Sequence, residues 1–203
     1  MKLYASPASP FARKIRVMLI EKGISYETEM VNLWEPNRLQ EINPVGKVPA
    51  LKLDDGRVLI NSTMIADYID SAYPQMRLIP ADADGRLEVK RWEAFADGAM
   101  EAVGATAYEM RFHDEAARSQ PWLERQRGKI ESGLAALEAM LGTRTWCVGN
   151  AMSLADIALC CNLGFIAQRA PQFFAAGKYP NLARLCETME LRDSMKQTAP
   201  PPA

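Results

Sequence analysis

The chain has 203 residues, with 24 basic and 25 acidic side chains and a formal charge of −1. A chain of that length can bury roughly two-thirds of its unfolded surface in one large domain or two small ones, so its core needs no metal or disulfide staple. The balanced charge leaves no electrostatic footprint for nucleic acid or an anionic membrane surface.

The four cysteines, Cys147, Cys160, Cys161 and Cys186, form no CxxC pair and read as small buried hydrophobes. No continuous apolar signal core opens the chain, because Lys2-Leu3-Tyr4 runs straight into Ser6-Pro7. The longest apolar stretch, about 154–167, is too short for a membrane span and carries Asp156 and Asn162. A soluble, cytoplasmic protein is expected.

A short apolar run, Lys2-Leu3-Tyr4-Ala5, reads as a strand and leads into Ser9-Pro10-Phe11-Ala12. Serine at an N-cap followed by proline at the first helical position is a start signal. The hydroxyl satisfies an orphan backbone donor, and proline needs no donor there. A helix is predicted over 10–22, with Phe11, Ile15, Met18 and Leu19 on one face, Arg13, Lys14, Glu21 and Lys22 elsewhere, and Gly23 as the stop. A strand over 25–31 completes a βαβ unit, which requires parallel pairing.

Residues 34–42 carry a weak helical pattern through Trp34, Leu39 and Ile42, ended by Asn43-Pro44. Runs over 48–53 and 57–60 flank Asp54-Asp55-Gly56, a hairpin signal. Asn61-Ser62 then caps a helix in which Ile65, Ile69 and Ala72 share a face and Pro74 marks the exit. The first part therefore reads βαβαββα, an α/β unit with a small mixed sheet of four strands, over residues 1–75.

Residues 76–85, with Pro80, Asp82 and Asp84, read as a linker, and everything over 86–203 reads as all-α. A helix of about 25 residues is predicted from Trp92, Phe95, Ala99, Val103, Ala107 and Met110 at three-and-four spacing. A second is predicted over 122–141. Ser153-Leu154-Ala155-Asp156 has the form of a structural capping box. A final helix over 179–195 precedes Pro200-Pro201-Pro202, which is expected to be disordered.

Four motifs in this order resemble the glutathione S-transferase family, which joins a thioredoxin-like N-terminal domain to an all-helical C-terminal one. Ser9-Pro10-Phe11-Ala12 is similar to the active-site turn of glutaredoxins and omega-class transferases, with serine in place of their reactive cysteine, as in tau-class and many bacterial members. Asn43-Pro44-Val45-Gly46-Lys47-Val48-Pro49 resembles the segment that ends in a cis-proline, and Asn61-Ser62-Thr63 resembles the motif that holds the γ-glutamyl group. Residues 149–156 resemble the family's capping box.

The resemblance implies a transferase that adds the glutathione thiolate to a small hydrophobic electrophile, with glutathione as co-substrate, no other cofactor, no metal, and a homodimer as the working unit. Ser9 is the implied catalytic donor. The glycyl carboxylate is expected near Lys47, the cysteinyl backbone on Val48 ahead of Pro49, and the γ-glutamyl carboxylate on Ser62 and the backbone of Thr63. Asn61 stands where the family has an acid, so it offers an acceptor without charge. Asp97 from a partner subunit is a candidate to meet the ammonium group instead.

An electrophile pocket is expected between the halves. Pro7, Phe11 and Trp34 would line one wall, and Tyr108, Arg111 and Phe112, which share a helix face, would line the other. Dimer contacts are expected near Trp92 and the hairpin–helix edge. His113 is expected on the surface. Two alternatives are a glutathione-dependent thiol-disulfide or dehydroascorbate reductase, disfavoured by the missing cysteine, and a non-catalytic binding protein that keeps the fold.

Overall fold

A computed structural model describes residues 1–175 and 177–201. It opens with β1 (Lys2–Ala5), α1 (Pro10–Glu21) and β2 (Glu27–Met30), and continues through the single-turn α2 (Leu39–Ile42), β3 (Ala50–Lys52), β4 (Val58–Ile60) and α3 (Ser62–Ala72). The sheet order is β2-β1-β3-β4, with β1 parallel to β2 and antiparallel to β3, and β3 antiparallel to β4. This is the expected thioredoxin-like arrangement.

Register decides where the loops emerge. Ala5 pairs with Met30, Tyr4 with Ala50, and Ala50 with Ile60. The Ser6–Ser9 turn, the loop after β2, Pro49 and Asn61 therefore all leave one edge of the sheet.

The chain then becomes helical, with α4 (Ala83–Phe112), α5 (Gln120–Leu141), α6 (Leu154–Arg169), α7 (Pro180–Glu190) and α8 (Asp193–Gln197), and a short 3-10 turn at Glu115–Ala117. No helix among the described residues is long and apolar enough to cross a membrane. α6 forms the middle of this half, buried on nearly all sides against α1, α4 and α7. Its capping box is structural, as expected: Asp156 accepts from Ser153 N and Ser153 Oγ at 2.8 Å, and from Cys147 N at 2.8 Å.

Several expectations are corrected. The helix over 34–42 shrinks to α2 because Asn32 Oδ1 accepts from Trp34 N and Asn37 Oδ1 from Leu39 N, side-chain turns that compete with helical bonds. The linker is shorter than 76–85, since Asp82 Oδ1 accepts from Gly85 N at 2.8 Å and starts α4 three residues earlier. A Cβ on Gly85 would sit 2.7 Å from Pro80 Cβ, so the turn needs glycine there.

The linker is also docked rather than loose. Leu78 and Ile79 are buried, their N–H groups donate to Asp70 of α3, and Leu78 O accepts from Leu154 N at the start of α6.

On α4 the buried stripe runs through Val89, Trp92, Ala96, Ala99 and Val103, whereas Phe95, Ala107 and Met110 are exposed. A period of 3.6 residues carries the stripe from Trp92 to Ala96 rather than to Phe95. The predicted helix over 179–195 breaks at Arg192, whose extended backbone lets its guanidinium reach Glu21 at 2.6 and 2.7 Å.

Pro202 lies outside the described residues. Pro201 O accepts from Gln168 Nε2 at 2.6 Å, so the preceding part of the tail lies along α6 rather than hanging free. Cys147, Cys160 and Cys161 are buried as expected, and Cys186 is half-buried.

Candidate functional site

Ser9 caps α1 from the turn that leaves β1. Its backbone is extended, at φ −79° and ψ 116°, Pro10 follows it, and its Oγ accepts from Ala12 N at 3.2 Å. A serine hydroxyl carries one donor and two acceptor sites. With the oxygen on Ala12 N–H, the proton is left to donate toward the helix mouth.

Two basic residues, Arg13 and Lys14, fix the helix behind Ser9. The Arg13 guanidinium donates to Glu190 at 2.9 Å and to Met195 O at 3.0 Å. Lys14 Nζ lies 2.7 Å from Glu93 and 3.2 Å from Asp97. Both side chains are less than 5 % exposed, so α1 is enclosed on its charged flank as well as on its apolar one. A Cβ on Gly164 of α6 would come within 3.0 Å of Arg13 Nη1, which shows how closely α6 presses on this flank.

These contacts correct one reading: Arg13 and Lys14 look like solvated positions in the amphipathic pattern and are instead buried. Asp97 is half-buried, with one oxygen 3.2 Å from Lys14 Nζ and the other accepting from Asn162 Nδ2 at 2.9 Å.

The second loop on this edge is shaped by Asn43. Its Nδ2 donates to Lys47 O at 2.7 Å and its Oδ1 accepts from Val45 N at 3.1 Å, which sets the turn that delivers exposed Lys47, half-buried Val48 and buried Pro49. The Val48–Pro49 peptide is cis. Asn43, which in sequence reads as a helix stop and as the first residue of the cis-proline segment, thus also closes its own turn, as an asparagine before proline can.

The third element is the start of α3. Asn61 has a positive φ of 71° with ψ 127°, and its Oδ1 accepts from Thr63 N at 2.8 Å and Met64 N at 3.4 Å. Thr63 N–H is therefore already engaged, and Ser62, the first residue of α3, is buried.

Opposite the edge, Trp34 meets the end of α4. Its ring centroid lies 5.9 Å from those of Tyr108 and Phe112, which stack on each other at 6.2 Å, and the Arg111 guanidinium lies 4.1 Å from the Trp34 centroid. The structure thus gathers four of the six expected pocket residues into one exposed cluster.

The other two lie elsewhere. Pro7 borders a crevice behind the turn with Ser9, Arg13, Cys161, Phe165 and Pro200, and Phe11 packs against the main core. The crevice, of about 10 Å³, has room for about one water.

The three fully buried thiols, Cys147, Cys160 and Cys161, are poor nucleophiles. Burial pushes Cys161 up to about 12, and burial likewise drives Cys147 and Cys160 well above the ordinary thiol range. His113 is exposed, as expected, with Nδ1 3.1 Å from Glu109. No group of three metal-ligating side chains occurs among the described residues.

Comparison with known proteins gives the same picture. Residues 3–77 match the model of the glutathione S-transferase N-terminal domain, and residues 120–188 that of the C-terminal domain. The chain is 35% identical, over the full length of both proteins, to the uncharacterized GST-like protein YibF of Escherichia coli (strain K12). It is 29% identical to the maleylacetoacetate isomerase of Pseudomonas aeruginosa, over 98% of this chain and 96% of that one. A crystal structure of a glutathione S-transferase from Methylobacillus flagellatus with glutathione bound superposes with a TM-score of 0.94 at 41% identity, covering 98% of this chain and 99% of that one. With the cis-proline loop and the Ser9 and Ser62 helix starts on one sheet edge, and both domain models matched in order, the chain belongs to the glutathione S-transferase family.

Proposed function

We propose that the protein is a glutathione transferase that binds glutathione along the common sheet edge and adds its thiolate to an electrophile held against the aromatic cluster. The observation that carries this reading is the Ser9 hydroxyl at the mouth of α1, its oxygen occupied by Ala12 N–H and its proton left to donate. Glutathione bound in the M. flagellatus relative supports the co-substrate.

In this reading the γ-glutamyl carboxylate meets Ser62 at the positive end of α3, the cysteinyl backbone pairs with Val48 ahead of Pro49, and the glycyl carboxylate lies near Lys47. Because Thr63 N–H is engaged by Asn61, Ser62 is the main donor at the carboxylate.

Serine is a poor base, so Ser9 stabilises the thiolate and the proton leaves to solvent. A hydrogen bond to a charged group contributes about 1.5–3 kcal/mol and a helix N-terminus about 0.3–1. At about 1.4 kcal/mol per pKa unit, the two together bring a thiol from about 8.5 to near 7. The sulfur then forms its bond to the electrophilic carbon as the leaving group departs with its electron pair, or as a π bond takes the pair in an addition.

The Ser9→Ala variant tests this. Turnover with an activated aryl halide should fall about 10–100-fold, the equivalent of the lost charged hydrogen bond, while the fold survives. The thiolate absorbance of bound glutathione should titrate more than one pH unit higher. Unchanged rates would overturn the role.

A second reading, glutathione-dependent isomerisation, is favoured by the likeness to the P. aeruginosa isomerase. Stoichiometry separates the two, since conjugation consumes glutathione and isomerisation returns it. A thiol-disulfide reductase is disfavoured, because no cysteine stands in the Ser9 turn and the buried thiols hold their protons. A non-catalytic protein would show no turnover of any electrophile.

We also propose a homodimer. Trp92 itself is 1 % exposed in the chain's own core, and Leu87 and Phe95 near it on α4, with Met64 on α3, are the exposed apolar side chains that would meet a partner. Sedimentation as a monomer at micromolar concentration would refute the dimer.

A further inference from the structure

Arg111 lies on the last turn of α4 without the duties that usually hold an arginine there. The helix's C-terminal carbonyls, Met110 O and His113 O, are met by Arg118 at 3.1 and 3.0 Å, and Glu109 is taken by Ser119 N and His113. No carboxylate among the described residues lies within ion-pair distance of Arg111, although its neighbours Glu109 and Arg118 are both engaged.

What Arg111 does contact is the aromatic wall. Its guanidinium sits 4.1 Å from the Trp34 centroid and 6.0 Å from that of Phe112. Stacking of this kind satisfies the face of a guanidinium and leaves its N–H donors, which lie in its plane, turned outward. A planar fork held that way is pre-organised for a carboxylate, which it meets with two parallel bonds. Beside it, Trp34, Tyr108 and Phe112 form an apolar surface suited to a flat body. An uncharged hydrophobic electrophile would use that surface and leave the fork idle.

We propose that Arg111 selects for charge: the electrophile carries a carboxylate, received by the Arg111 fork, while its apolar body lies on Trp34, Tyr108 and Phe112. This rests on the transferase reading and narrows its substrate class from hydrophobic electrophiles to anionic ones. Arg111 acts here as a specificity residue and takes no part in activating the thiol.

The test uses two chemically prepared conjugates, S-(4-carboxybenzyl)glutathione and its uncharged amide, S-(4-carbamoylbenzyl)glutathione, titrated into the full chain by calorimetry at pH 7 and low salt. The carboxylate conjugate should bind about ten-fold tighter than the amide, a modest value for a charged, partly solvated pair. In Arg111→Gln the ratio of the two dissociation constants should collapse to about one. Arg111→Lys, which keeps the charge but loses the fork, should fall between.

Equal affinities in the wild type, or a ratio that survives Arg111→Gln, would overturn the selection by Arg111 and leave the transferase reading intact. If neither conjugate nor glutathione itself bound at millimolar concentration, the transferase reading would fall and this inference with it.

Discussion

The two ends of the polar surface of α1 solve different problems. At its mouth, the Ser9 side chain is bound only to a backbone N–H three residues away, and the Asn61 side chain caps α3 through N–H groups two and three residues away. On its flank, Arg13 and Lys14 reach 177 and 79 residues along the chain to Glu190 and Glu93. The first arrangement keeps a hydroxyl available for a ligand. The second uses the Arg13 and Lys14 charges in ion pairs that fasten the helix to α7 and α4, with Met195 O of α8 as a further acceptor, so the mouth is presented by a rigid support.

Breaking the flank should therefore cost more stability than breaking the mouth. Lys14→Ala leaves Glu93 buried with Lys90, 2.9 Å away, as its remaining cation, and half-buried Asp97 with only the neutral Asn162 amide. Losing one partner of a buried pair costs about 3–5 kcal/mol, to be read as a lower urea midpoint at unchanged slope. A Lys14→Met, Glu93→Leu double variant should recover part of that loss, because no uncompensated charge remains from the pair. Ser9→Ala removes a cap worth about 1 kcal/mol, so its cost in turnover should far exceed its cost in stability.

Acid should open the flank next. Burial pushes the Glu93 carboxyl upward, but the Lys14 and Lys90 ammonium groups outweigh it and hold Glu93 below the ordinary 4.5. The Arg192 hydrogen bonds hold Glu21 low as well. A depressed folded value adds stability that is fully present above the unfolded one and disappears as pH falls through the folded one. Unfolding free energy should be flat from neutrality to about pH 4.5 and then decline. In Glu93→Gln the decline should be shallower, and an identical slope would show that other carboxylates carry it.

The same contrast explains what could be read in advance. Ser9-Pro10, Asn61-Ser62, the Asp54-Asp55-Gly56 hairpin and the Ser153–Asp156 box work through bonds a few residues long, and each appears where its local chemistry puts it. The βαβ unit and the hairpin gave the β1–β2 and β3–β4 pairs, while the antiparallel β1–β3 pairing that joins them is not written in either motif. Arg13 and Lys14 were illegible because their partners lie in the other half of the chain, and a helical pattern cannot distinguish a solvated charge from one paired across a domain boundary. Trp34 was placed on a helix that Asn32 and Asn37 dismantle; helical spacing gave only the shared face of Tyr108, Arg111 and Phe112, and the expectation that Trp34 would face them came from the family resemblance.

The smallest expected effect sharpens the mouth rather than breaking it. Asn61→Asp keeps the cap, because a carboxylate oxygen accepts from Thr63 N and Met64 N as the amide oxygen does, and its charge faces the positive end of α3. Stability should rise by about 0.3–1 kcal/mol or less at this exposed position. If the glutathione ammonium group lies beside residue 61, as the family resemblance implies, the added charge should tighten glutathione binding about two- to five-fold at low ionic strength, the range of an exposed ion pair. That gain should fade as salt shortens the reach of the interaction. Calorimetry at two ionic strengths separates the effects: a salt-independent gain would come from a better-ordered α3 start, and no gain at all would place the ammonium group away from Asn61.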